Sequence, residues 1–514
     1  MRYRNVFRGI YAKRSIFKGI PRNSYLAHLR SVRKTLLQRI EVDQFARSQK
    51  EEVYVLPFDE IPGPKVPSFI PSKYIVGPIQ QAHSTGWFQP YEMLFTRYGP
   101  LVRVNGDSLL VSHPRYIEAI MAISLPNRSA LSTMERKRRL SLPIRMPEYE
   151  LDFTELSEKY ADLLNFKPNH FNKRIEVASD QLISRMYYTR NLQHEVPNFD
   201  EELYQWGLQS MFCCLFSRDC TFLQDPIGNN EFGPKSGIYQ TYQTFLNASY
   251  CLAEAEAGPL GRLVRQHSVA NHIDVMNGIL CRNLRTKYLA LWRDTDKELQ
   301  TDLVEAMILR DKMNSNDILT RLCDIVILGV NIVAHSVGFL IYHLAKSPVY
   351  QPMLHEAVMK ADSDNLHCID FMNYCIYESM RLIPPFPSLS RDLDRDIILH
   401  GYGIPKGIQV HMINEVANMR KDMFPQTTVF SPERWPRMGK EPMLPHNYQL
   451  LPLAPVAPLL HAHVSVLTAK LVKHFKFEYH YGEIKSGQLL AKPNKPFLFT
   501  FIDRDREGIP VTTK

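Results

Sequence analysis

The chain has 514 residues, 45% of them hydrophobic, and a formal net charge of +9. That is core enough for one large domain or two. No apolar stretch reaches the ~20 residues of a membrane-spanning helix, so no transmembrane anchor is expected. The eight cysteines show no metal-type spacing, and no secretory signal points to an oxidising compartment. They are expected to be buried small apolar residues.

From Met1 to Ile40 there is no acidic residue, while eleven Lys and Arg are interleaved with Phe, Ile, Leu and Ser. That composition is that of a mitochondrial transit peptide. The alternative is a solvated basic tail for nucleic acid or an anionic membrane. We read residues 1–45 as the transit and basic segment, and residues 46–514 as a single domain. Most of the net charge lies in the first of these. The remainder is close to neutral, and nucleic acid is not an implied partner.

Glu60-Ile61-Pro62-Gly63-Pro64-Lys65 reads as an extended lead-in whose path the prolines fix. Leu101 to Val104 and Leu109 to Val111 read as a β-hairpin closed by an Asn-Gly turn, and a short helix follows over Tyr116 to Ala122. A cationic run, Met134 to Arg139, comes next. Phe199 to Trp206 opens a helix with acids in its first turn. Between Thr221 and Arg265, loop-like pieces alternate with short apolar runs. Asn316 to Lys346 is a long apolar helix without proline, stopped by Ser347-Pro348.

Phe371 to Leu382 is a second helix. Its Glu378 and Arg381, three apart, share one face. Pro384-Pro385-Phe386-Pro387, Ser390-Arg391, the strand pair around Gly401-Tyr402-Gly403, and Phe430-Ser431-Pro432-Glu433-Arg434-Trp435 follow in order. The last landmark is Leu453-Ala454-Pro455-Val456-Ala457-Pro458-Leu459-Leu460-His461-Ala462-His463, before a helix-like run from Val464 to Phe475.

This ordered set, from about Glu60 to Pro496, resembles the cytochrome P450 family of haem-thiolate monooxygenases, and within it the mitochondrial class. The resemblance implies a mainly α fold with a small β-rich part, the cytochrome P450 fold. It implies haem, a ferredoxin-type redox partner and a hydrophobic, sterol-like substrate. It makes Glu378, Arg381 and Arg434 a buried structural triad. It places Arg391 on a haem propionate.

Several family residues are replaced. The family reads Phe-Gly-x-Gly-x-Arg-x-Cys-x-Gly where this chain has Leu453 to Ala462. Leu453 takes the Phe place, Ala454 and Val456 the Gly places, Pro458 the Arg place and Leu460 the place of the cysteine ligand. In the long helix, Asn331 and Ile332 take the places of the acid and threonine that activate oxygen, while Gly329 is kept. His335, one turn on, reads as a core histidine. The Trp-x-x-x-Arg motif for a propionate is missing. Asn373 and Tyr377 stand where two basic residues meet the ferredoxin.

Three readings follow. The chain is a degenerate member, haem-free or haem-poor, that binds or scaffolds. Or it is an active monooxygenase whose sequence carries a reading-frame error near residues 453–463, since codons exist there that restore parts of the motif in shifted frames. Or an imidazole of His461 or His463 replaces the thiolate. In location, the chain is expected in the mitochondrion, in the matrix or peripherally on the inner membrane. Residues 1–45 fused to a fluorescent reporter are expected to carry it into mitochondria. A reporter that stays cytosolic contradicts the transit-peptide reading.

Overall fold

The computed structural model describes residues 55–65, 90–123, 168–216, 278–293, 302–310, 312–313, 315–361, 366, 368–385, 387–393, 395–435, 457–484, 493 and 495–504. The transit segment, the cationic run at 134–139, the 221–265 region and residues 448–456 lie outside these.

Among the described residues helices dominate. They are α1 (Pro90–Tyr98), α2 (Pro114–Ile123), α3 (Pro168–Thr189), α4 (Phe199–Phe216), α5 (residues 278–293), α6 (Ser315–Lys346), α7 (Tyr350–Met359), α8 (Asp370–Leu382), α9 (Asn414–Asn418) and α10 (Ala457–His474). Strands β1 (Leu101–Asn105), β2 (Ser108–Val111), β6 (Gln409–Ile413) and β3 (Ser388–Asp392) form one sheet in that order. β1 and β2 are antiparallel, β2 and β6 parallel, β6 and β3 antiparallel. Two ribbons complete the strands: β4 (Ile397–Leu399) with β5 (Tyr402–Ile404), and β7 (Phe475–Glu478) with β8 (Thr500–Asp503).

The expected hairpin forms, with one difference. Its turn sits on Gly106 and Asp107, and the register shifts between Arg103 and Asn105. The Asn105 side chain accepts from Gly106 N at 2.8 Å, so it holds the turn from its edge. The lead-in segment runs against β1. Arg103 N donates to Pro62 O at 3.0 Å, and a Cβ on Gly63 would fall 1.8 Å from Arg103 O. Only glycine permits that approach.

α6 is the spine. Its 32 residues span about 48 Å, and it is buried continuously from Gly329 to Leu344. α4 crosses it, with Gly207 letting the Val330 side chain approach. α4 is itself buried on nearly every side. Its acidic first turn complements the helix dipole, and Glu202 accepts from Arg185 Nε of α3 at 2.5 Å. Near the C-terminus of α6, a Cβ on Gly338 would meet Phe497 Cε2 at 2.1 Å. Phe497, Phe499 and Phe501 continue from there into an aromatic cluster with Phe199, Phe475 and Phe477.

α10 begins at Ala457, seven residues before the helix-like run seen in the sequence. Pro458 is tolerated because the N–H groups of a first helical turn have no intrahelical partner. Leu460 therefore lies in the first turn of a helix, not in a loop. From Leu459 to Val472 the helix is buried, apart from half-buried His461 and Lys470.

Candidate functional site

Glu378 accepts five hydrogen bonds. Its Oε1 accepts from Arg381 Nη2 at 2.9 Å, Arg434 Nε at 2.9 Å and Ser431 N at 3.0 Å. Its Oε2 accepts from Arg381 Nε at 3.0 Å and Trp435 Nε1 at 3.1 Å. Glu378 and Arg381 are fully buried, and Arg434 nearly so. The pair on α8 follows from its three-residue spacing. Arg434 comes from 56 residues further on. Arg381 Nη1 also donates to Asn418 O at 3.2 Å, and its guanidinium lies 5.0 Å from the Phe424 ring. Arg434 Nη1 donates to Pro425 O at 2.8 Å. The network therefore clamps residues 414–435 onto α8. His343 of α6 is next to it, stacked on Phe430 and paired with Ser379 Oγ at 2.9 Å. Burial, with Arg381 nearby, pushes the His343 pKa down to about 3, so the ring is neutral.

The second assembly is the seam between α4, α6 and α10. Gly329 and Leu460 meet there. A Cβ on Gly329 would lie 3.3 Å from Leu460 Cδ2 and 3.1 Å from Met211 Cε. Leu460 is 1% exposed. Asn331 is buried and turned to α4, where its Oδ1 accepts from Tyr204 OH. That hydroxyl is also 2.9 Å from His335 Nε2. A phenol has one proton, so with it given to Asn331 the His335 Nε2–H is the donor. Ile332 is buried among apolar neighbours.

The histidines of α10 diverge. His463 is fully buried, 6.0 Å from the Trp206 ring, and its Nδ1–H donates to Leu459 O at 2.7 Å. Burial lowers its pKa to about 4. His461 faces the other way, 6.0 Å from the Tyr377 ring. Tyr377 in turn packs on Trp435 at 5.5 Å. Asn373 is half-buried on the same helix. Arg391 lies on β3, and burial alone pulls its pKa down to about 10. The structure thus gathers Glu378, Arg381 and Arg434. It puts Asn331 and Leu460 on different sides of the α6 seam, and holds His461 and His463 apart.

Sequence reasoning missed Tyr204, Met211 and Trp435. Tyr204 meets Asn331 across 127 residues, and no local pattern announces such a pairing. Trp435 lay inside a quoted motif, where its indole N–H marks it as a side chain that needs an acceptor when buried.

The family described as Cytochrome P450 matches residues 67–452. The match ends immediately before Leu453. "Cytochrome P450 10" of Lymnaea stagnalis is 21% identical over 487 residues, covering 88% of this chain and 86% of that protein. "Probable cytochrome P450 301a1, mitochondrial" of Drosophila melanogaster is 22% identical over 495 residues, 88% of each chain. "1,25-dihydroxyvitamin D(3) 24-hydroxylase, mitochondrial" of Rattus norvegicus is 21% identical over 277 residues, 52% of this chain and 53% of that protein.

A thiolate-ligated haem iron needs a sulfur anion on one side and open space above the ring. The described residues do not fit that group. Leu460 has no donor atom, and its Cδ2 lies 3.3 Å from where a Cβ on Gly329 would sit. Burial pushes the thiols of Cys214 and Cys375 well above their ordinary range.

The triad carries a stability prediction. Glu378→Ala leaves two guanidiniums buried without their carboxylate and is expected to cost about 3–5 kcal/mol. Denaturant unfolding measures this. A loss below ~1 kcal/mol is what an exposed pair gives, and it contradicts the assignment.

Proposed function

This chain belongs to the cytochrome P450 family, and from that premise we propose that, as written, it is a member without thiolate chemistry. It keeps the fold as a binding or scaffold protein for a hydrophobic, sterol-like molecule. The observation that carries this reading is Leu460, buried in the first turn of α10 against Gly329. A second observation agrees. Asn331 and Ile332 offer neither acid nor hydroxyl, and proton delivery needs both a group that titrates and a path. The Asn331 amide is engaged with Tyr204 instead.

Residues 1–45 and the mitochondrial relatives support a mitochondrial location. Tyr377, packed on Trp435, and Asn373 supply no cation for an acidic ferredoxin. Electron delivery is impaired in the same reading.

The alternative is an active haem-dependent monooxygenase whose sequence is in error near residues 453–463. One specific observation favours it: the family match stops at Pro452, while α10 beyond Val464 is packed as a regular buried helix. The altered axial place is then confined to one short segment, while the replacements at Asn331 and Ile332 lie outside it.

One experiment separates the two. The chain as written, supplied with haem, reduced and exposed to carbon monoxide, is expected to show no thiolate-type absorption band. A version carrying the family motif with its cysteine is expected to show the band only if the rest of the chain is haem-competent, and its recovery favours the sequence-error reading. Efficient hydroxylation by the unrestored chain contradicts the proposal outright.

A further inference from the structure

Between α5 and the entry of α6, one cation meets two buried carboxylates. Lys287 Nζ of α5 contacts Asp302 Oδ2 and lies 2.6 Å from Glu305 Oε1. The Asp302 side chain has no exposure, and that of Glu305 8%. Asp302 is also the N-cap of the short turn Leu303–Glu305, its Oδ1 accepting from Glu305 N at 2.8 Å. One carboxylate therefore caps the turn and holds α5 to it. The chain runs on into a wide, π-type turn over Ala306–Arg310, and Met313 N donates to Met307 O at 3.0 Å. Leu303, Val304, Ala306 and Met307 are buried, and the turn packs against α4. On α5, Leu280 and Leu284 are buried as well. Apolar contact at the two leucines and ionic contact at Lys287 together hold α5 in place.

An ammonium shared by two carboxylates gives Asp302 only part of a counter-charge, and a buried charge is costly unless it is matched. Among the described residues the charges that act on Asp302 are those of Lys287 and Glu305, and they oppose each other. α4, packed on this turn, carries Asp200, Glu201 and Glu202 in its own first turn and no charged residue from Leu203 to Phe216. We propose that Lys287, Asp302 and Glu305 form a proton-dependent latch, closed while Asp302 holds a proton and loosened when it gives that proton to water. Burial raises the Asp302 pKa and the Glu305 charge adds to this, against the pull of Lys287 and the cap. The folded carboxyl then keeps its proton at a pH where an unfolded one has lost it. The latch is fully closed below the ordinary carboxylate range, and its contribution falls as pH rises through the raised value. It uses no residue of the α6 seam or of the axial place.

Hydrogen exchange of the full chain tests this, read by mass spectrometry in peptides over residues 278–293 between about pH 4 and pH 8 and corrected at each pH for the intrinsic rate. Protection of α5 is expected to fall as pH rises, by up to about tenfold per pH unit while the proton is being lost. Glu305→Gln leaves the ammonium of Lys287 to Asp302. It is expected to keep α5 protected at the alkaline end and to flatten the profile, a gain that the loss of a merely structural contact does not give. Lys287→Met removes the cation and should loosen α5 most at the alkaline end, where both carboxylates are charged. Protection of α5 that does not change with pH in the unmodified chain overturns the proposal. So does a Glu305→Gln chain whose α5 loosens with pH as the unmodified one does, or is looser at every pH.

Discussion

A buried carboxylate must be matched by donors, and Glu378 is matched by five: two from Arg381, one each from Arg434, Trp435 and the Ser431 amide. Removing such a charge from water is costly unless every lone pair is occupied. The consequence reaches well beyond the pair on α8. Arg381 and Arg434 also donate to carbonyls of Asn418, Pro425 and Val429, so one ionic hub orders a stretch that has little regular secondary structure of its own. Tyr377 joins that hub to α10, packed between Trp435 and His461. The hub is a matter of fold, and fold by itself does not imply function.

The α6 seam is built differently. Gly207 and Gly329 let α4 and α10 come close to the spine. Into that space go Val330, Met211 and Leu460, all apolar. The polar residues that remain answer one another: Tyr204 is between Asn331 and His335. A buried amide and imidazole satisfied within the protein are structural cross-links between α4 and α6.

Much of this was legible in the sequence. The long apolar helix ran from Asn316 to Lys346 by pattern and from Ser315 to Lys346 in the structure. The ordered motifs from Glu378 to Trp435 located the ionic hub, because spacing on one helix and a fixed downstream motif are local signals. What escaped was long-range or depended on backbone detail. The pairing of Tyr204 with Asn331 has no sequence signature. The turn at Gly106 and Asp107 was displaced by an irregular register. The early start of α10 was hidden by prolines, which read as a loop although a first helical turn accepts them. The joining of Lys287 to Asp302 and Glu305 was missed because they sit on separate elements, with no common spacing to mark them.

In the proposed reading this chain folds to its native state without haem, with Leu460 packed near Gly329 and the Glu378 hub in place. A ligand that binds only the folded state raises its stability by mass action, by about 2.7 kcal/mol at a hundredfold excess over its dissociation constant. The most direct measurement is denaturant unfolding of the unrestored chain with and without haem. One cooperative transition is expected, with a midpoint that does not move when haem is added. A midpoint that rises with haem concentration, or a chain that unfolds cooperatively only when haem is present, would contradict it.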